Sequence, residues 1–269
     1  MATTNSQTTV AYTSTNHPIY TTFQAKNFLT DPVFNYLLVN TPWYHKAAAT
    51  YHILRLQLHG AAHSNRALYV SASAPSTTQS TISPTDAELN PQCNAIILPP
   101  GKGGVFDIGA TGWSGLILRR GLHKVFWYAG TKPWKEFWTQ MVVPNERAKA
   151  YTFSSSSDYY YVAFISTALD HRGKGLAQSL LSDLQGRAQE EGKPIWLEAS
   201  SPASRRVYAK CGFLDVGVDG EESVGKGFRM GVGEVDECGE RCVGVEAVGV
   251  PLWPMVWWPE GYGKGGNRV

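Results

Sequence analysis

The order of patterns along this chain predicts an α/β fold, with a mixed sheet flanked by helices. Two observations carry that expectation. Short runs of β-branched and aromatic residues alternate with longer runs whose apolar residues recur near every 3.6 positions, the signature of interleaved strands and helices in one layered domain. One strand pattern, Tyr159 to Thr167, also passes through the glycine-rich stretch Asp170 to Gly175 directly into a helical pattern. The 269 residues are 43% apolar and 17% charged, enough to bury a substantial core.

Met1 to Ser14 is rich in Ser and Thr and lacks the basic and apolar regions of a signal peptide. Residues 1–16 are therefore expected to be disordered, with one domain over 17–262 and a flexible tail over 263–269. Asp31-Pro32 is a helix start, with Asp as N-cap and Pro in the first turn; Val33, Phe34, Tyr36, Leu37 and Leu38 supply an apolar face. A second helix is expected from Trp43 to Gly60. Ala67 to Ala72 and Asn94 to Leu98 read as strands, the latter ended by Pro99-Pro100-Gly101.

Ala74 to Pro91 has no periodicity and reads as a loop. Phe106 to Arg147 reads as two aromatic helical pieces broken near Gly130 to Pro133; core packing is the ordinary explanation of its rings, and the alternative is that some roof an apolar pocket. Beyond the glycine turn, Ala177, Leu180, Leu181, Leu184 and Ala188 form one helical face that closes near Gly192. Ile195 to Ala199 is a strand, Ala203 to Lys210 a short helix and Phe213 to Val218 a strand. Residues 220–249 are Gly- and Glu-rich and read as an irregular loop or hairpin. Leu252 to Trp258 reads as a closing strand that Pro254 consigns to an edge or bulge.

Charge and cysteine content narrow the function classes. A net charge of +2, from 24 basic and 22 acidic residues, lacks the basic excess of a nucleic-acid binder. No apolar run approaches the roughly 20 residues a spanning helix needs, so no membrane partner is expected. Cys93, Cys211, Cys238 and Cys242 are too few and too irregular for a disulfide scaffold, and read as free thiols of a reducing cytoplasm. The lone C-x3-C pair lacks the further ligands zinc requires, so no metal is expected. Nothing in the composition signals an oligomeric state.

A strand that ends in a glycine turn opening a helix is a device for binding phosphate. Gly173 and Gly175 let the backbone turn tightly and approach a ligand, the free N–H groups of the first helical turn face it, and Arg172 and Lys174 add positive charge. Many βα connections use glycine only to turn, so the turn alone is weak evidence. Neither Gly101-Lys102-Gly103 nor Gly173-Lys174-Gly175 has the spacing or hydroxyl of a P-loop. Gln178 occupies the place of the third glycine of a dinucleotide fingerprint.

Arg172-Gly173-Lys174-Gly175-Leu176-Ala177 instead matches the R/Q-x-x-G-x-G/A signature of the GNAT N-acetyltransferase superfamily. About thirty residues on, Val207-Tyr208-Ala209-Lys210-Cys211-Gly212-Phe213 resembles that superfamily's L-Y-x-K-x-G-F. The resemblance is strong over Tyr159 to Val218. It extends to Phe28 to Pro42, Ile96 to Gly101 and Leu252 to Pro259, which are similar to a fungal small-molecule branch. It implies a mostly antiparallel, twisted sheet and acetyl-CoA as co-substrate. It further implies that backbone groups of Ile165 and Thr167 pair with the pantetheine arm, that amides from Arg172 to Ala177 (Gly173, Lys174, Gly175 and Leu176 between them) cradle the pyrophosphate, and that Tyr208 protonates the departing thiolate.

Glu198, a carboxylate inside an apolar strand, is a candidate general base; His45, His52, His123 and His171 are others that nothing singles out. Four positions depart from the family pattern: Leu169 where Pro is common, Ser201 where an Asn contacts CoA, and Ser166-Thr167 where Gly-Val is commoner. Ser201 can still hydrogen-bond the cofactor. The expected reaction is transfer of acetyl to an amine of a small molecule. The alternatives are a non-catalytic acyl-CoA-binding protein and a protein or peptide N-acetyltransferase.

Overall fold

A computed structural model describes residues 7–11, 17–63, 68–72, 91–101, 122–153, 158–219 and 223–262. The loop expected over 74–91 lies outside them apart from Pro91, as do residues 106–121 of the aromatic region and the tail 263–269. The strands are β1 (Gln7–Ala11), β2 (Leu68–Ala72), β3 (Cys93–Leu98), β4 (Tyr160–Thr167), β5 (Ile195–Ala199), β6 (Leu214–Asp215), β7 (Phe228–Met230) and β8 (Val250–Trp257). The α-helices are α1 (His17–Phe28), α2 (Pro32–Leu37), α3 (Trp43–His63), α4 (Leu122–Ala129), α5 (Lys132–Glu136), α6 (Val143–Thr152), α7 (Leu176–Glu191) and α8 (Pro202–Lys210). A π-helix, Phe137–Val142, joins α5 to α6.

The sheet runs in the order β1-β2-β3-β4-β5-β8-β6, with β7 also paired to β8. Every pairing is antiparallel except β4 with β5. The α/β class and the mostly antiparallel sheet therefore stand as expected.

Three expectations need correcting. Gln7–Ala11, inside the segment expected to be disordered, pairs along its length with β2; Thr8, Thr9 and Val10 are β-branched and suit a strand. Phe213 to Val218 keeps strand geometry only at Leu214–Asp215. The Leu252 strand is not an edge: β8 is flanked by β5 on one side and by β6 and β7 on the other. Pro254 is tolerated there because its carbonyl, and not its missing N–H, serves the neighbour, accepting from Val216 N at 2.9 Å.

Two cores meet at the sheet. On one face, Leu176, Leu180, Leu181, Leu184 and Ala188 of α7 pack with Ile195, Leu197 and Ala199 of β5 and with Tyr208 and Phe213. On the other face, Trp196 of β5 packs with Ala148 of α6 and Val256 of β8. The segment 220–249 is more ordered than a loose loop where it is described. Met230 and Val235 form a core with Val33, Tyr36 and Leu37 of α2, and Asn35 Nδ2 donates to the Cys238 carbonyl at 3.0 Å. Gly239 lies so close to α2 that a Cβ there would sit 2.3 Å from the Pro32 carbonyl oxygen, which demands glycine. That wrap fixes α2, and with it Asp31.

Candidate active site

β4 and β5 pair only at Tyr160↔Ile195 and Tyr161↔Trp196 and then part. The cause is visible on the other edge of β4. Ile96 pairs with Phe164 and Ile97 with Val162, so Ala163 is an extra residue, a bulge that bends the strand. β5 meanwhile follows β8 as far as Ala199↔Trp253. The gap opens into a cavity of about 610 Å³ lined by β4 from Val162 to Thr167, the glycine turn, the end of β5, α8 and the α1–α2 junction.

The glycine turn lies at one wall of this cavity. Gly173 and Gly175 have φ of +78° and +76°, the left-handed region that glycine enters without strain. No side chain caps α7, and its first internal backbone bond is Ser179 N to Gly175 O at 2.9 Å. The N–H groups of Leu176, Ala177 and Gln178 precede that bond and so have no acceptor within the helix. A Cβ at Gly173 would meet nothing within 4 Å, so the space above it is not needed for packing. This is the arrangement that receives an oxyanion. The side chains beside it hold one another: Lys174 Nζ lies 3.0 Å from His171 Nδ1, and Arg172 Nε donates to the Thr167 carbonyl at 3.2 Å.

Ile165 and Thr167 line the cavity, on the part of β4 that β5 leaves unpaired. Thr167 Oγ1 donates to Cys93 Sγ at 3.3 Å; burial pushes that thiol up to about 11. Ser201 also lines the cavity, but its hydroxyl serves α8. It caps the helix by accepting from Ser204 N at 3.1 Å, and Ser204 reciprocates with a bond from Ser201 N.

Tyr208 reaches the cavity from α8, buried at 7% exposure beside Phe213. Burial, reinforced by the field of Asp31, pushes its phenol well above the usual range, so it stays protonated. Glu198 lines the cavity as well. Both its oxygens are engaged, Oε2 by Tyr161 Oη at 2.9 Å and Oε1 by Trp196 Nε1 at 2.7 Å. Burial raises its pKa while Lys149 opposes the rise. Of the four histidines, only His171 borders the cavity; His45 and His52 pack on the Tyr128 ring.

Asp31 is the carboxylate that sequence reasoning took only as a helix cap. It does cap α2, with Oδ1 accepting from Val33 N at 3.0 Å and Phe34 N at 3.4 Å. It also lines the cavity, and its Oδ2 accepts from Ser200 Oγ at 2.6 Å. Burial raises its pKa to about 6, against the lowering effect of the Ser200 and backbone bonds. A signal was present in the sequence, since an N-cap Asp is an acceptor-rich group at a chain bend. Nothing local showed that α2 would bring it to the end of β5.

The aromatic region does not roof the site where it is described: Phe126, Trp127, Trp134, Phe137 and Trp138 lie off the cavity, and Met141 alone of this region lines it. Among the described residues no group of three or more His, Cys, Asp or Glu is placed to hold a metal ion.

Residues 129–232, which include β4, the turn, α7, β5 and Tyr208, match the family model of the acetyltransferase (GNAT) domain. Over that stretch the chain is similar to the GNAT acetyltransferases. A stretch of 99 residues is 26% identical to an uncharacterized N-acetyltransferase of Schizosaccharomyces pombe, covering 36% of this chain and 40% of that protein. The chain thus matches less than half the length of that relative. The solved structure of histone acetyltransferase HPA2 and related acetyltransferase from Corynebacterium glutamicum superposes with a TM-score of 0.53 at 16% identity, over 94% of this chain and 97% of that one. A mutant agmatine N-acetyltransferase in its apo form gives 0.50 at 13% identity, over 94% and 99%. At such identities these two structures show a shared fold. No described helix is long and apolar enough to cross a membrane.

Proposed function

We propose that this chain is an acetyl-CoA-dependent N-acetyltransferase that acetylates an amine of a small molecule by direct attack on the thioester. The observation that carries this reading is a single cavity through the parted strands, with a bare amide turn at one wall and the Asp31 carboxylate at another. The amides of residues 172–177 bind the pyrophosphate, and the unpaired edge of β4 at Ile165 and Thr167 receives the pantetheine arm as an added strand would be received. The agmatine acetyltransferase fold relationship is consistent with an amine acceptor.

The chemistry asks for a base at the nitrogen and a donor at the sulfur. Asp31, titrating at about 6, is ionised at neutral pH and is linked to Ser200 at the mouth of β5. As the C–N bond forms, the nitrogen becomes acidic, and Asp31 takes its proton directly or through the Ser200 hydroxyl. The C–S bond then breaks and charge collects on sulfur. Tyr208 meets that charge with a hydrogen bond. Full transfer of its proton to a thiolate whose acid titrates near ~8.5 would be uphill, so the phenol stabilises the leaving sulfur and the thiol gains its proton as it reaches water. Glu198, with both oxygens engaged by β4 and β5 side chains, holds the parted strands.

The test is thiol release from acetyl-CoA against polyamines, aminoglycosides, amino acids, arylamines, arylalkylamines and short peptides, with the acetylated product identified by mass. Amine-dependent thiol release with a small-molecule acceptor supports the proposal; release with peptides alone, or none at all, rejects it.

A further inference from the structure

Lys132 to Thr152 is a continuous helical rod with one widened section. Backbone angles stay helical through Glu136 (φ −64°, ψ −42°) and Val143 (φ −60°, ψ −49°), and Val143 N donates to Trp138 O, five residues back. Pro144 supplies a physical reason. Within an ordinary α-helix its ring would strike the carbonyl four residues back, that of Gln140, and it has no N–H to donate; the wider turn relieves both.

The widened turn fixes two side chains. Gln140 is clamped: its Nε2 donates to Tyr36 Oη at 2.9 Å and to Glu136 Oε2, and its Oε1 accepts from Gly231 N at 2.7 Å. Tyr36 Oη in turn donates to Glu136 Oε2 at 3.3 Å. Next to this clamp, Met141 packs on the core of Tyr36, Val33 and Leu252, and lines the cavity beside Val33, Phe34 and Leu252.

Position in the sheet tells which end of the cavity this is. α7, which opens at the phosphate turn, packs on the β5 face formed by Ile195, Leu197 and Ala199. α6, the continuation of the Met141 rod, packs on the opposite face at Trp196. In β8 the same split holds, with Trp253 and Met255 in the α7 core and Leu252 in the Met141 core. The phosphate turn and Met141 thus approach the parted strands from opposite faces, with Asp31 on the α2 side that Met141 shares. We infer that Met141, held in place by the π-turn and the Gln140 clamp, is the wall that limits the bulk of the acceptor amine's apolar group.

This inference rests on the proposed acetyltransfer. Thioether flexibility makes methionine a wall that adapts to one size of apolar group and is opened by truncation. The experiment compares kcat/KM for ethylamine, 2-phenylethylamine and 2-(1-naphthyl)ethylamine with acetyl-CoA in the wild type, Met141→Ala, Met141→Leu and Pro144→Ala. Removing a side chain of this size from an apolar subsite should change the ratio of bulky to small amine by at least about tenfold, in favour of the bulky one. Met141→Leu should preserve the ratio, and the KM for acetyl-CoA should stay within about twofold of wild type throughout. Pro144→Ala, which removes the clash without removing the wall, should relax the turn and shift the ratio in the same direction as Met141→Ala.

An unchanged amine ratio in Met141→Ala, or a change confined to the KM for acetyl-CoA, overturns the inference while leaving acetyltransfer standing. A wild type that acetylates none of the three amines but does acetylate other small molecules also overturns it. A wild type that releases no thiol with any amine removes both the inference and the reading beneath it.

Discussion

Tyr161 Oη donates to Glu198 Oε2 at 2.9 Å, and this bond spans the gap two residues beyond Trp196, the last residue of β5 that pairs with β4. Where backbone pairing stops, side chains take over. Lys149 completes the group, lying 4.8 Å from the Tyr161 ring centre and bonded to Glu146 at 2.9 Å. Burial alone would lower its pKa, yet Glu198, Tyr159 and Glu146 raise it. We propose that the carboxylate read as a base from sequence acts as a strut, its oxygens held by Tyr161 and Trp196.

That role has a measurable consequence. Glu198→Gln keeps an acceptor for one donor and should lose less than about tenfold in kcat/KM, with the acid limb of the pH profile unmoved. Glu198→Leu leaves Tyr161 and Trp196 without their shared acceptor and Lys149 without a neighbouring negative charge, and should lower the unfolding free energy by about 3 kcal/mol in urea titration. Loss of the acid limb in Glu198→Gln would return the base to Glu198.

Asp31 links the site to stability. Its folded pKa of about 6 lies above the ordinary carboxylate value, so the folded state binds this proton more tightly than the unfolded chain. The stability contributed is full below about pH 4 and is lost as pH rises to about 6, after which it is flat. Asn also caps helices, so Asp31→Asn should keep α2 while removing this loss. The variant should gain up to about 3 kcal/mol over wild type between pH 4 and pH 7 in denaturant titrations; a difference independent of pH would contradict the raised pKa.

Gly173 separates binding from folding. A Cβ there meets no protein atom within 4 Å, so Gly173→Val bears chiefly the strain of a left-handed φ, roughly 1–2 kcal/mol. Its branched side chain would occupy the space from which a pyrophosphate must approach. Calorimetric titration should show CoA affinity down at least about a hundredfold with cooperative unfolding retained. Wild-type affinity in a folded variant would remove the turn assignment.

Tyr208→Phe tests the sulfur donor. Turnover should fall at least about tenfold while CoA affinity changes little, because the hydroxyl acts on charge that develops only during reaction. A second readout sharpens this: thioesters with better leaving thiols should be less sensitive to the substitution. Equal sensitivity across thioesters would make Tyr208 a packing residue.

Much of this was legible in the sequence, for physical reasons that differ by element. The α7 face was readable because Leu180, Leu181, Leu184 and Ala188 recur at helical spacing, and burial follows from that period. The turn was readable because positive φ demands glycine at Gly173 and Gly175. Pro254 misled, since a missing N–H excludes a residue from a central strand only when the neighbour needs that donor. Asp31 was recognised as a cap and missed as a site residue. Its partner, Ser200, is 169 residues away, and packing of α2 against residues distant in sequence, among them Met230 and Val235, brings the two together. The bulge at Ala163 left no local mark, because it is a property of the pairing between β3 and β4.

The most direct test of a two-faced site, with the acyl donor at the turn and the base at α2, is the pH profile of amine-dependent thiol release in wild type and Asp31→Asn, with CoA affinity measured alongside. In wild type, kcat/KM for acetyl-CoA at saturating amine should fall below about pH 6 as Asp31 takes a proton. Asp31→Asn should bind CoA like wild type, lose about a hundredfold or more in rate and lose that limb. An unchanged rate, or a limb near pH 6 that survives the substitution, would contradict the account.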